Sequence, residues 1–463
     1  MIVCIIIDRE RELEWLRTRL AGDSRELLVV YGRRRVGKTT LVTAALEELE
    51  AGTVYFLCDQ RGTRANARRF ASRCAERFDD VPPDVDGFPD AFRYLRDRIE
   101  GSFVVAIDEF SYLVEADETV PSVFQTVVDD VLAGTDVSIV LLGSSISMME
   151  EGVLSYESPL YGRRTGQWRL EPLPIASARQ FFPEYGPDTM IQTYGVVGGI
   201  PAYLEQFEAD RDLLENVERH ILSKGAFLHE EPEFLLRQEL REPATYLAIL
   251  EAIAGGATRV SEIASVIDRN ASGLSRYLKN LAELAILERE TQVTDPDGRG
   301  VYRLTDEFLR FWFRYVSPNR ATLEQGHTGS VRETIAETMP THTSVTFEEV
   351  CQQATLLPAF PVPCSRVGRW WDGEDEIDVV GLDPTSETVL LGECKWTRDP
   401  VGPSLLSQLE ALEPEVRWRG RDRTARYALF ARSGFTDSMR EIARDRADVE
   451  LYTPARLFDL FDR

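Results

Sequence analysis

Residues 26–39 read Glu-Leu-Leu-Val-Val-Tyr-Gly-Arg-Arg-Arg-Val-Gly-Lys-Thr. An apolar run of strand length stops at Gly32, and Thr39 to Leu49 then has helical character. Gly-x-x-x-x-Gly-Lys-Thr between a strand and a helix is the pattern of a phosphate-binding loop. Gly32 and Gly37 leave room for backbone N–H groups to wrap phosphates, with Arg33, Arg34, Arg35, Val36 and Thr40 completing the cradle. Lys38 reaches the terminal phosphates, the Thr39 hydroxyl is a ligand for Mg²⁺, and the helix start adds its positive dipole end. The expected cofactors are therefore ATP and Mg²⁺.

A second apolar run, Phe103-Val-Val-Ala-Ile, ends in Asp108-Glu109. Asp108 at the strand tip is placed to hold the metal through water, and Glu109 to polarise the attacking water. A further strand at 137–142 ends at Gly143-Ser144-Ser145, where Ser144 can sense a terminal phosphate or cap the next helix. Arg163 and Arg164 offer guanidinium groups for transition-state charge, which implies assembly into a homo-oligomer. Apolar strands alternating with helices at 64–78 and 88–100 predict a parallel sheet covered on both faces. Residues 175–235 read as all-helical, suited to a lid.

The chain has 463 residues, a length that suggests three domains. No apolar run reaches the length of a membrane helix, and Met1–Ile7 is too short for a signal peptide or a span. Six scattered cysteines (Cys4, Cys58, Cys74, Cys351, Cys364, Cys394) form no C-x-x-C pair, which argues against a zinc ribbon or a disulfide framework and fits a cytoplasmic protein. The net charge is −25, and only Lys38, Lys224, Lys279 and Lys395 among the 53 basic residues are lysine. Such a surface resembles those of salt-loving archaea, because molar salt screens self-repulsion over about 3 Å. Two of the four lysines stand where chemistry needs a compact ammonium: Lys38 in the loop, and Lys395 in a Glu-x-Lys.

Residues 243–290 predict three helices, the third from Ser272 to Leu284. A strand pair follows, Ile286–Val293 and Gly300–Leu304, about a turn at Asp295-Pro-Asp-Gly298. Three helices and a hairpin make a winged helix-turn-helix. Its third helix exposes Ser275, Arg276, Lys279 and Asn280, residue types that contact phosphates and base edges, so DNA is the expected macromolecular partner. A protein-docking role is the competing reading. The aromatic helix 308–316 is expected to pack on the wing.

From residue 344 a helix precedes strands near 362–367, 376–382 and 388–394, a helix near 403–412 and a strand at 425–431. Glu376-Ile-Asp378 followed by Gly392-Glu393-Cys-Lys395 resembles the Asp…Glu-x-Lys pattern of restriction-endonuclease-like cores, with Ile377 where a proline is usual. Residues two apart on a strand share a face, so Glu393 and Lys395 point together and Asp378 on the paired strand meets them. Two carboxylates then bind Mg²⁺ while the lysine orients water. Glu348 completes the site, with Glu349 as the alternative; Trp370, Trp371, Trp396 and Gln408 are expected to pack around this core, with contact to substrate as the alternative for Gln408.

The phosphate loop, Ile107-Asp108-Glu109-Phe110, Gly143-Ser144-Ser145, Pro159-Leu-Tyr-Gly-Arg163 and Gly198-Gly-Ile-Pro-Ala-Tyr-Leu204 together resemble the archaeal ATPase family of AAA-like and STAND P-loop ATPases. The resemblance covers nearly all of the chain. It implies that Asp8-Arg9-Glu10 helps to seat the adenine, that Gly198-Gly199-Ile200-Pro201 marks the lid, and that a winged helix and a nuclease-like domain of unknown function follow. The expected α/β architecture is thus a P-loop core (1–174), a helical lid (175–238), a winged helix-turn-helix (239–318), a linker (319–343) and a restriction-endonuclease-like domain (344–463). The expected activity is ATP hydrolysis coupled to DNA binding or cleavage. The alternatives are a nucleotide-switched DNA-binding regulator, or a STAND-type signalling or defence ATPase, whose terminal domain does not cut.

Overall fold

The computed structural model describes residues 7–22, 24–420 and 422–462; Cys4 and most of the Met1–Ile7 run lie outside them. The chain divides into two compact units, Met1–Pro172 with Ile200–Ala202, and Leu173–Gly199 with Tyr203–Arg463. Among the described residues no helix is long and apolar enough to cross a membrane.

The first unit is built on β1 (Leu27–Tyr31), β2 (Gly52–Leu57), β3 (Phe103–Asp108), β4 (Val137–Gly143) and β5 (Gly166–Arg169), all parallel in the order β2-β3-β4-β1-β5. β1, β3 and β4 are buried along their whole length, which is why they read as unbroken apolar runs. β4 lies between β1 and β3, so the chain segment after Gly143 emerges between the phosphate loop and Asp108. One apolar cluster fills the side of the sheet under the helices Thr63–Arg77 and Phe88–Arg96, with Phe70, Phe88, Phe92, Phe110 and Phe124 at its centre. The helix Glu10–Leu20 and the short strand β5 are additions to the sequence expectation.

The second unit is not divided as the sequence suggested. The helices expected as a separate lid cluster with the chain after residue 203. In the helix Pro187–Val197, Met190, Ile191 and Thr193–Val197 are all buried, and a helix that is apolar on most sides must be enclosed. The aromatic helix Glu307–Tyr315 packs chiefly against it rather than on the hairpin. Phe308, Phe311 and Trp312 are fully buried there, and Trp312 Nε1 donates to the His229 carbonyl. The stretch expected as a linker plus a helix holds the short helix Arg320–Glu324 and the first half of a 28-residue helix, Thr328–Thr355, which runs on through Pro340 and through the predicted first helix of the next domain.

Three helices, Pro243–Ala254, Val260–Val266 and Ser275–Glu283, precede an antiparallel pair, β6 (Leu287–Glu290) and β7 (Val301–Leu304). The last sheet contains β8 (Arg366–Asp372), β9 (Asp375–Asp383), β10 (Thr388–Lys395), β11 (Thr424–Ala431) and β12 (Val449–Tyr452), in the order β12-β11-β10-β9-β8. β8, β9 and β10 are antiparallel neighbours, while β10, β11 and β12 run parallel through the crossover helices Pro403–Leu412 and Asp437–Asp445. Trp370, Ile377, Leu391, Leu406 and Leu429 share its core.

Candidate functional site

The phosphate loop leaves β1 through positive-φ conformations at Gly32, Arg35 and Gly37. Gly32 has φ +151°, and a Cβ there would lie 2.3 Å from the Leu170 carbonyl oxygen, well inside contact distance. Gly37 (φ +100°) starts the helix Lys38–Glu47. Lys38 is buried, and its ammonium donates to the carbonyls of Gly32 (2.8 Å) and Arg33 (2.9 Å). Thr39 donates from Oγ1 to Asp108 Oδ2 at 2.6 Å, which joins the loop to the tip of β3. The same carboxylate oxygen accepts from the Tyr55 phenol at 2.5 Å, and Oδ1 accepts from the Glu109 amide at 2.7 Å. Burial, and then Asp108, push the Tyr55 phenol above its ordinary value, so it stays a donor.

Glu109 has the left-handed conformation φ +54°, ψ +41°, a strained geometry for a side-chain-bearing residue. Its Oε1 accepts from Ser144 Oγ at 2.8 Å, and its Oε2 is buried with no hydrogen-bond partner. Ser144 therefore bonds Glu109 and does not cap the helix that follows. Thr39 hydroxyl and Asp108 carboxylate are hard oxygen donors drawn together at one point, and they suit Mg²⁺.

The second cluster stands on β8, β9, β10 and the helix Thr328–Thr355. The β9–β10 ladder runs to Val379↔Gly392, which brings Asp378 opposite Glu393, and Asp378 Oδ2 accepts from the Cys394 amide at 2.9 Å. Lys395 Nζ donates to Glu393 Oε1 at 2.6 Å. The cation among the remaining acids is Arg369. Its guanidinium lies 2.5 Å from Glu348, 2.9 Å from Glu376 and 3.7 Å from Asp378. The alternative acid, Glu349, is taken by Arg310 at 2.7 Å. Burial, and then Asp378 and Glu376, push the Glu348 carboxyl above its ordinary value. Burial and Asp378 push Glu393 up to about 7, and burial raises Asp378 also. Burial would lower the Lys395 ammonium, but its hydrogen bond to Glu393 outweighs that and raises it.

Residues 6–207 match the family described as an ATPase domain predominantly from Archaea, and residues 312–411 match a family of archaeal and bacterial proteins of unknown function. The uncharacterized protein MJECL04 of Methanocaldococcus jannaschii is 35% identical over 398 residues, which cover 85% of this chain and 88% of the relative. The chain belongs to this archaeal ATPase family. Among solved structures, the Walker-type ATPase PABY2304 of Pyrococcus abyssi aligns with a TM-score of 0.49 at 22% identity, over 67% of the ATPase and 96% of the other chain. The ORC2 protein of Aeropyrum pernix aligns with a TM-score of 0.46 at 15% identity, over 70% and 97%.

The ATPase brings Gly32 to Thr40, Asp108, Glu109 and Ser144 to one end of the first sheet. It does not bring Arg163 and Arg164 there. Gly166 is in register with Leu28, four residues before Gly32, so Gly166 lies about 13 Å back along β1, and the two arginines come before it in the chain. Each is engaged locally: Arg163 bonds Asp129 (2.7 Å) and the Pro159 carbonyl, and Arg164 bonds the Leu154 carbonyl and stacks on Tyr161.

Of the expected metal seat, Glu348 and Asp378 lie against Arg369, and Glu393 lies against Lys395. Among the described residues no group of three or more His, Cys, Asp or Glu side chains is placed to hold a metal ion. Gln408 is exposed rather than packed round this cluster. Sequence reading missed two residues. Tyr55 carried the signal of a polar-tipped ring one strand away from Asp108. Arg369 fell beyond the predicted end of its strand.

Proposed function

We propose that the chain is a nucleotide-switched regulator: ATP bound and hydrolysed at residues 32–40 alters how the second unit holds DNA. The Thr39–Asp108 hydrogen bond carries the ATPase half, since it supplies a loop hydroxyl and a strand-tip carboxylate at one point beside Lys38. In this reading Lys38 exchanges its two loop carbonyls for phosphate oxygens. Thr39 and Asp108 hold Mg²⁺, which when bound neutralises charge on the phosphates. Glu109, fixed through Oε1 by Ser144, uses its unpartnered Oε2 to orient and deprotonate water. Arg163 and Arg164 reach a phosphate only on a neighbouring subunit, so a homo-oligomer is part of the proposal for those two residues.

DNA contact rests on the helix Ser275–Glu283. Ser275, Arg276 and Lys279 are exposed on it, while Asn280 is turned inward to the Tyr246 hydroxyl at 2.8 Å. This is a winged-helix arrangement in which the third helix, not the hairpin, meets phosphates. The turn of the hairpin exposes Asp295 and Asp297, which repel them. Its end is also fastened to β8, where the Val293 amide donates to the Arg369 carbonyl at 3.0 Å. The seating of Arg369 favours the non-cleaving reading of the restriction-endonuclease-like domain over cleavage.

The test is ATP hydrolysis together with fluorescence anisotropy of labelled duplex DNA at several KCl concentrations. Lys38→Ala should abolish hydrolysis. An Arg276→Ala/Lys279→Ala variant should keep hydrolysis, and should flatten the logarithmic salt dependence of DNA affinity by about 2, near one for each phosphate no longer neutralised. DNA affinity identical in both variants, with and without ATP, would sink the proposal.

A further inference from the structure

An acidic site laid out for a divalent cation already contains a cation of its own. Three carboxylates from two elements meet one guanidinium: Glu348 from the helix Thr328–Thr355, and Glu376 and Asp378 from β9. Arg369 is buried, with 7% of its surface exposed. Three facts show that its position is built by the fold and is not a surface arginine folding over.

The first is backbone register. β8 and β9 pair regularly from Arg366↔Leu382 to Gly368↔Val380, then resume at Trp370↔Ile377. Arg369 alone therefore faces two residues, Asp378 and Val379. A bulge re-aims a side chain and switches the face it occupies. Here the extra residue is in β9, and it sets Asp378 as well as Val379 opposite Arg369 while Trp370 and Ile377 stay together in the core.

The second is the clasp on the outer edge of β8. The Val293 amide donates to the Arg369 carbonyl, Gln292 Nε2 donates to the Trp371 carbonyl at 2.8 Å, and a Cβ on Gly368 would lie 3.3 Å from the Val293 side chain. The segment after β6 thus pins the main chain on both sides of the arginine.

The third is the quality of the fit. Arg369 Nη2 donates to Glu348 Oε2, while its Nε is buried without an acceptor, so the guanidinium leaves one donor unsatisfied. Guanidinium keeps its charge at any ordinary pH, so the acids are released only if the side chain physically leaves.

We infer that Arg369 is an internal counter-cation standing in the place of a divalent metal, and that the carboxylate site of the last domain takes up such a metal only when this guanidinium is withdrawn. The inference concerns the acid cluster alone and is independent of whether the protein binds DNA or hydrolyses ATP. It explains how the Asp…Glu-x-Lys pattern is present in full while its acids are already neutralised from within.

The experiment is Mn²⁺ binding to the full chain without nucleotide, followed by electron paramagnetic resonance and calorimetry. Wild type is compared with Asp378→Asn, Arg369→Met and the double variant Arg369→Met/Asp378→Asn. Any Mn²⁺ bound at the phosphate loop is common to all four and cancels. Wild type and Asp378→Asn should bind the same number of ions. Arg369→Met should gain one ion per chain, absent again in the double variant, and its melting temperature should rise more with Mn²⁺ than that of wild type. An ion lost from wild type on Asp378→Asn overturns the inference, and that comparison stands even if Arg369→Met fails to fold. A folded Arg369→Met protein, judged by a circular dichroism spectrum and a cooperative melt like those of wild type, that gains no ion overturns it as well.

Discussion

Tyr55 and Thr39 donate to the same oxygen of Asp108, at 2.5 Å and 2.6 Å. When Thr39 turns to a metal, Tyr55 is left as the side chain that fixes the carboxylate. A hydrogen bond to a charged group contributes about 1.5–3 kcal/mol. Tyr55→Phe is therefore expected to raise the Mg²⁺ concentration for half-maximal ATP hydrolysis about tenfold, at nearly constant turnover in saturating Mg²⁺. An unchanged Mg²⁺ requirement removes Tyr55 from this role.

Glu109→Gln keeps the shape of the side chain and its hydrogen bond with Ser144 but takes away the base. Hydrolysis should fall by about 10²–10⁴, with ATP affinity by equilibrium titration unchanged. A parallel loss of affinity would mean that the residue shapes the nucleotide pocket instead.

Gly32→Ala forces a methyl group to within 2.3 Å of the Leu170 carbonyl oxygen, at a backbone angle that side chains avoid. Strain and overlap together are expected to cost about 2–4 kcal/mol. Calorimetry should show the first unit melting earlier, with nucleotide binding lost before the fold is.

His342 is enclosed against Phe311 and Tyr315, and its Nε2 hydrogen-bonds the Gly195 carbonyl at 2.8 Å, so the neutral ring carries its proton there. Burial pulls its pKa down to about 3. The folded unit then binds fewer protons than the unfolded chain between about pH 3 and pH 6.5, so this contribution is complete above pH 6.5 and is lost as the pH falls. From pH 6.5 to pH 5 the loss is about 2 kcal/mol. Chemical denaturation of wild type should weaken across that window, and His342→Gln should flatten the slope. Equal slopes would place the acid sensitivity elsewhere.

What could be read from the sequence was chemistry that is contiguous in the chain. The loop from Gly32 to Thr39 and the Asp108-Glu109 tip each sit within a few residues of an apolar run, so their context announced them. Tyr55 acts across a strand boundary, and its reach to Asp108 depends on the β2–β3 register, Leu57↔Asp108, which composition does not encode. Arg369 was hidden because an extra residue in β9 sets Asp378 opposite it, and nothing in the sequence announces that bulge. Residues 319–343 looked like a linker because they are rich in Thr, Ser, Gly and Pro. The threonines instead return their hydroxyls to carbonyls four residues back, Thr334 to Ser330, Thr338 to Thr334 and Thr343 to Met339, and so sit within a helix at little cost.

That helix, Thr328–Thr355, extends about 42 Å, and the part beyond Pro340 carries three attachments within seven residues. His342 holds the Gly195 carbonyl, Thr346 presses on Gly195 so closely that a Cβ would lie 2.6 Å from its hydroxyl, and Glu348 grips Arg369. A helix is stiff along its axis, so it behaves here as a pushrod. Any sliding of the helix Pro187–Val197 along this segment arrives undiminished at the Glu348 carboxylate, and a bulkier side chain at position 195 would be felt as a change in how tightly the arginine is held.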